Sequence, residues 1–114
     1  VATIGSMDLA LLRRVLSEHS ALLCAQGVQP VRHDDDDFVV FGIAVTSPKR
    51  RLEHAAWMCE EMVRTIDTSE GAVIDQDALR GKVNRWLGFV QGILWVTGMR
   101  TIEQMRDDNR TPCA

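Results

Sequence analysis

The chain has 114 residues, of which 46% are hydrophobic and 25% charged, and its formal net charge is −3. This length suits one compact domain with a modest core and is too short for two. The acidic balance excludes the overall positive field that draws proteins onto nucleic acid or anionic membranes. No run reaches the roughly 20 apolar residues that a membrane-spanning helix needs. We therefore expect neither nucleic acid nor a membrane as a partner.

The three cysteines form no closely spaced pair; they are Cys24, Cys59 and Cys113. An odd number of cysteines without metal-ligand spacing is typical of a reduced protein. We therefore predict a cytoplasmic location and no zinc site.

The domain limits follow from the two ends of the sequence. Residues 1–6 resemble a cloning remnant, because a glycine and a serine directly precede Met7. We predict one helical domain over residues 7–110 and a loose tail over residues 111–114.

The first predicted helix spans about Met7 to Gln26 and ends at Gly27. Leucines at steps of three, four and seven residues give it one apolar face, formed by Leu9, Leu12, Leu16 and Leu23. His19 falls on this face. We interpret it as a buried side chain with satisfied nitrogens rather than as a metal ligand.

An acidic loop and an apolar run follow. Residues 33–37, His-Asp-Asp-Asp-Asp, could hold a hard cation, but neighbouring side chains in an extended loop diverge, so we predict a solvated loop. Residues 38–45 are apolar and β-branched, which favours a buried strand. Its partner would be residues 28–32, or the same strand of a second subunit. A helical continuation stays open, because periodicity cannot separate the two in so short a run.

The second helix is predicted from Pro48 to about Ile66. Ser47 can accept a hydrogen bond from the first turn, and proline lacks the N–H group that would be left over there. The apolar residues of this helix share one stripe, formed by Leu52, Ala55, Ala56, Cys59, Met62, Val63 and Ile66. At about 100° per residue, Trp57 lies outside the stripe among charged residues.

The third helix is predicted to start after Asp75 or Asp77, to run to about Thr97 and to end at Gly98. Its core face covers nearly half of the circumference and consists of Leu79, Val83, Trp86, Leu87, Phe89, Val90, Ile93 and Leu94.

A short last helix is predicted over residues 102–108, because Thr101 and Gln104 match a capping box. The predicted fold is therefore mainly α: an antiparallel bundle of three long helices plus a short C-terminal helix. The only β element we predict is a strand or hairpin at residues 38–45.

Two glycines of the third helix, Gly88 and Gly92, lie four residues apart on the side opposite its core face. Each costs about 0.5–1 kcal/mol relative to alanine, so we expect close approach of another backbone or a flat ligand to offset the loss. The predicted interface residues of a homo-oligomer are Trp57, Asn84, Gly88, Gln91, Gly92 and Trp95. The alternative is that the third helix is central and wrapped on both sides by its own chain.

Basic residues at the starts of two helices suggest another function. A nucleotide or cyclic nucleotide could pair its phosphate with them and stack on a tryptophan. The predicted ligand-binding residues are Arg50, Arg51, His54 and Arg85.

A third alternative is a metal-dependent nucleotide hydrolase that uses Glu60, Glu61 and Asp67. However, Glu60 and Glu61 point in different directions, and no second carboxylate pair completes a two-metal site. The sequence also contains no glycine-rich phosphate loop, no G-x-S-x-G and no H-E-x-x-H. We therefore predict a protein that is not an enzyme and has no cofactor or metal.

The stretch NRWLGFVQGILWVTGMRTIEQMRDDNR, residues 84–110, resembles the closing region of small uncharacterised proteins from tailed-phage and prophage genomes. Those proteins likewise read R-W-L-G-F-x-Q-G, followed by a helix exit and a short acidic-basic helix. Residues 50–62 resemble their preceding helix, so the resemblance covers about residues 47–110. It implies a phage or mobile-element accessory protein, with a host or phage protein as a further candidate partner, and transfers no site residues. Our prediction is a non-enzymatic interaction module that forms a homo-oligomer.

Overall fold

The computed structural model describes residues 8–33, 38–40, 43–45 and 47–110, and these residues are mainly helical. The elements in chain order are α1 (Leu9–Ala25), β1 (Phe38–Val40), β2 (Ile43–Val45), α2 (Pro48–Ser69), α3 (Gln76–Val96) and α4 (Ile102–Asp108). The prediction of a mainly α fold is confirmed. The predicted cloning remnant, the four aspartates after His33, Cys113 and the predicted tail lie outside the described residues.

The helices start at the caps that the sequence indicates. Ser47 Oγ accepts a hydrogen bond from the backbone N–H of Arg50 at 3.2 Å. Asp75 Oδ1 accepts those of Asp77 at 3.0 Å and Ala78 at 3.1 Å. These bonds satisfy N–H groups that have no partner within the helix, so local chemistry alone fixes both starts.

Two of the long helices end at the predicted glycines, and α2 is longer than predicted. Gly27 and Gly98 have φ angles of 79° and 77°, a left-handed conformation that glycine adopts without steric cost. In contrast, α2 continues past Ile66 to Ser69. The hydroxyl of Ser69 is buried and donates to the carbonyl oxygen of Ile66 at 2.6 Å, whereas Asp67 and Thr68 of the same turn are exposed.

The strands pair with each other in antiparallel register, the first residue of β1 opposite the last of β2. The predicted pairing with residues 28–32 is wrong. That segment is tied to α2 instead, since the backbone N–H of Val31 donates to the carbonyl oxygen of Glu53 at 3.1 Å. Only two residues separate the strands in the sequence. Closing so short a connection costs little conformational entropy, which favours pairing between these two strands.

The core lies between the three long helices, and Met105 of α4 packs against it. It is formed by Leu12, Val15, Leu16 and Leu23 of α1, Ala55, Ala56, Met58, Cys59, Met62 and Ile66 of α2, Leu79, Val83, Leu87, Val90 and Leu94 of α3, and Met105 of α4. One predicted core residue is misplaced: Phe89 is 58% exposed. Helical periodicity gives the direction of a side chain but not the width of the contact, and the buried stripe of α3 is narrower than half of its circumference.

Candidate functional site

The outward side of α3 carries an apolar surface with a bare centre, which we call the glycine face. Gly88 and Gly92 form its centre and are exposed. Trp95, 54% exposed, flanks them on one side, and Val96 and Phe89, 62% and 58% exposed, flank them on the other. At about 100° per residue, these five residues span roughly 120° of the helix. The face is therefore directed away from the core, as predicted for Gly88, Gly92 and Trp95.

The fold itself gives no reason for glycine at the centre of this face. Among the described residues, a methyl group at Gly88 or Gly92 would meet no atom of a neighbouring element within 4 Å. Both residues lie inside a regular helix, and neither has the positive φ of Gly27 or Gly98. Alanine at each position would stabilise the helix by about 0.5–1 kcal/mol. Within the part of the chain that the structure describes, no contact offsets this loss of stability at either position.

The flanks of the glycine face add exposed aromatic area. Buried aromatic side chains typically cover 150–250 Å² each, so Phe89 and Trp95 at more than half exposure leave roughly 200 Å² in contact with water. Together with Val96, these side chains approach the roughly 300–600 Å² of the largest apolar patch on a typical monomer, which is often functional. The sequence pattern placed Phe89 in the core and did not indicate Val96 as a surface residue. Their spacing from Gly92 nevertheless places both beside it on the helix surface.

The polar residues predicted for this interface separate into two groups. Asn84 is exposed and lies on the Trp95 flank of the face. Gln91 points inward instead, where its Nε2 donates to Asn109 Oδ1 at 2.7 Å and lies 3.1 Å from His19 Nε2. Asn109 Nδ2 donates back to Gln91 Oε1 at 3.0 Å. Gln91 therefore joins α1, α3 and the end of α4, and the structure does not place it with the other predicted interface residues.

His19 is the buried member of this tie, only 1% exposed, as its position on the apolar face of α1 predicts. Burial lowers its pKa below the ordinary histidine value, with a smaller contribution from Arg100 and an opposing one from Asp108. Arg100 Nη2 and Asp108 Oδ1 form an ion pair of 2.6 Å beside it. Because Gln91 Nε2 donates to it, the His19 Nε2 atom is the unprotonated acceptor in this arrangement.

The end of α4 is held by a second set of bonds. Arg14 Nη2 donates to the carbonyl oxygens of Asp108 at 3.0 Å and Arg110 at 3.2 Å. These contacts join residues more than 90 positions apart in the chain, so no local pattern could have indicated them.

The structure does not bring Trp57 together with the glycine face. It is half-buried, and its ring packs against those of Trp86, with centroids 5.9 Å apart, and His54, at 5.4 Å. The guanidinium carbon of Arg32 lies 5.2 Å from the Trp57 ring centroid, and Lys82 Nζ lies 5.7 Å from that of Trp86. These five residues form a separate tryptophan cluster between α2 and α3. A pattern on one helix could not show that the partner of Trp57 is a second tryptophan.

The four predicted ligand-binding residues are divided between two helices. Arg50, Arg51 and His54 lie in the first two turns of α2, and His54 Nδ1 accepts a hydrogen bond from the backbone N–H of His33 at 3.1 Å. Arg85 lies on the exposed side of α3, whereas its neighbour Trp86 faces α2. The structure therefore does not bring Arg85 together with the other three.

Two of the three carboxylates of the hydrolase alternative form ion pairs with arginines. Glu61 Oε2 lies 2.6 Å from Arg64 Nη1, and both oxygens of Asp67 accept from Arg13, at 2.6 and 3.0 Å. The hydrogen bond from Arg13 lowers the pKa of Asp67. Glu60 is exposed and lines a groove with Asp67. Within the part of the chain that the structure describes, no group of three acidic, histidine or cysteine side chains is placed to hold a metal ion.

Cys59 lies in the core and has no exposed surface. Burial raises the pKa of its thiol to about 12, and the charge of Glu60 adds to this effect. The thiolate form that nucleophilic chemistry requires is therefore absent near neutral pH, as expected for a packing residue.

No protein-family model matches the chain, and neither a curated protein nor a solved structure matches it. Across the described helices, none is long and apolar enough to cross a membrane. On the described surface, the glycine face is the most unusual part.

Proposed function

We propose that this protein is a non-enzymatic interaction module that self-associates through the glycine face of α3. In this proposal it acts in the cytoplasm as an accessory protein of a phage or mobile element, and its helices form an antiparallel bundle that presents the face outward. The observation that carries the proposal is the open space over Gly88 and Gly92, inside a regular helix, between exposed aromatic side chains.

The spacing of the two glycines suits contact with another helix. Residues four positions apart lie above one another on a helix surface, so Gly88 and Gly92 together form a shallow groove. Packed helices are usually 8–10 Å apart, depending on the side chains at the contact, and glycine permits the lower end of that range. The cost of glycine in the monomer is then offset by backbone contact in the oligomer.

The flanks supply the driving force in water. Burying Phe89, Trp95 and Val96 removes apolar surface from water on both copies. The stretch 84–96 contains no acidic residue, and Arg85 is its one charged residue, so few charges lose hydration. The patch is smaller than the roughly 800 Å² per partner of a standard interface. We therefore expect a dissociation constant in the micromolar range rather than the nanomolar range.

The experiment is a titration of molecular mass against protein concentration by light scattering or sedimentation. The wild type should shift from monomer towards oligomer between micromolar and millimolar concentration. Gly88→Leu should stay monomeric with a melting temperature at least as high as that of the wild type, because leucine favours the helix, enters open space in the monomer and clashes only with a second copy.

The matched control is Ala10→Leu, which adds an exposed leucine to α1. It should associate like the wild type. A wild type that is monomeric at millimolar concentration, or a Gly88→Leu variant that associates as before, would contradict the proposal.

A further inference from the structure

We infer that the occupant of the glycine face is a second copy in antiparallel orientation, related by a two-fold axis at the level of Val90; this rests on the proposed function. The axis passes between Gly88 and Gly92, which lie equally far before and after Val90. It therefore places Gly88 of each copy against Gly92 of the other. The two bare grooves coincide, and each helix meets backbone rather than a side chain.

The Trp95 flank becomes complementary to itself in this arrangement. A two-fold axis perpendicular to the helices brings each flank against the same flank of the other copy. Asn84 and Trp95 share one flank, six residues before and five residues after Val90. Asn84 of one copy thus lies level with Trp95 of the other, where its side-chain oxygen can accept the indole N–H. The contact occurs twice, once at each end of the groove.

The opposite flank is apolar at its centre. Phe89 is one residue from the axis, so the two Phe89 rings meet across it in the offset geometry that aromatic pairs favour. Further out, Arg85 lies level with Val96 of the second copy, and its aliphatic stem can cover that side chain while the charge stays in water. All three large exposed side chains of the face are covered.

A parallel pair would lack this complementarity. Each residue would then face its own level in the other copy, so Trp95 would lie beside Val96 and its indole N–H would have no partner. The two Arg85 guanidinium groups would lie at one level, whereas ten residues at about 1.5 Å rise separate them by about 15 Å in the antiparallel pair. The helix dipoles also favour the antiparallel arrangement, since it sets opposite ends side by side.

The test is the distance between nitroxide labels on the two copies, measured at Ala78→Cys and, separately, at Lys82→Cys. Both positions are exposed on α3. The background carries Cys24→Ser and Cys113→Ser. Cys59 can stay, because it is fully buried and its thiol pKa is about 12.

Antiparallel association should give backbone separations of about 36 Å for position 78 and about 24 Å for position 82, from a rise of about 1.5 Å per residue. A parallel pair should give about 10–20 Å at both positions, since its helices stay 8–10 Å apart along their length. The decisive quantity is the change of about 12 Å between the two labels.

Each outcome has one meaning. Distances that fall from position 78 to position 82 as stated, and vanish in Gly88→Leu, support the inference. Equal short distances, or distances that follow neither pattern, overturn it while self-association stands. If scattering shows only monomer and no distance is detected, the proposed function itself fails.

Discussion

The two sides of α3 differ in what determines their residues. On the inner side, Leu79, Val83, Leu87, Val90 and Leu94 are buried against the other helices, and Gln91 is bonded to His19 and Asn109. On the outer side, no neighbouring element among the described residues lies over Gly88 or Gly92. Packing within one chain explains the inner side completely. For the outer side, we propose that a second copy supplies the missing contacts.

The largest expected effect is the removal of an inner side chain. Leu94→Ala should lower the free energy of unfolding by about 2–5 kcal/mol, because it leaves a cavity in the core. Phe89→Ala, on the outer side, should change the stability of the monomer by less than about 0.5 kcal/mol. Urea denaturation of both variants at low micromolar concentration checks the contrast. Equal losses would mean that the two sides are not distinct.

The next effect concerns association alone. Trp95→Ala should weaken self-association at least tenfold, about 1.4 kcal/mol, since buried tryptophans often dominate interface energies. Its unfolding free energy, measured on the dilute monomer, should stay close to that of the wild type. Sedimentation equilibrium gives the dissociation constant, and an unchanged constant would remove Trp95 from the interface.

The inner side should also respond to pH. Burial lowers the pKa of His19 in the folded state, so the unfolded chain binds its proton more tightly. Stability should therefore be constant above about pH 6.5, the unfolded value, and fall as pH decreases below it, by at most about 1.4 kcal/mol per pH unit. Denaturation between pH 7.5 and 5.5 measures this slope, and His19→Gln should abolish it. A slope of the opposite sign would refute the assignment.

The smallest effect should separate the two kinds of glycine. Gly88→Ala should raise the stability of the dilute monomer by about 0.5–1 kcal/mol. Gly98→Ala should lower it, because Gly98 has a φ of 77°, which a residue with a side chain adopts only under strain. Thermal unfolding of both variants provides the comparison. A loss of stability in Gly88→Ala would show that the monomer needs this glycine.

Sequence reasoning succeeded where the chemistry is local. The starts of α2 and α3 were predictable because Ser47 and Asp75 bond to N–H groups within three residues of themselves. The outward direction of Gly88 and Gly92 followed from helical periodicity in the same way. These features need no knowledge of the rest of the fold.

The sequence did not indicate the side-chain positions that depend on contacts between distant elements. Gln91 lies at the edge between the two sides of α3, and its direction is set by His19, 72 positions away, and by Asn109, 18 positions away. Trp57 was assigned to the interface because it lies outside the apolar stripe of α2, and its contact with Trp86 of α3 is not visible in the pattern of one helix. Phe89 was assigned to the core because periodicity does not show how many neighbours surround a helix.

The bonds at the end of α4 bear on how far the protein can be shortened. A helix of seven residues such as α4 is not stable alone in water. Arg14 holds its end in place by donating hydrogen bonds to the carbonyl oxygens of Asp108 and Arg110. A truncated version that stops before α4 would open the imidazole of His19 to solvent and deprive Gln91 of its reciprocal amide bond. We therefore expect the smallest autonomous folding unit to extend to Arg110, although every core residue except Met105 lies at or before Leu94.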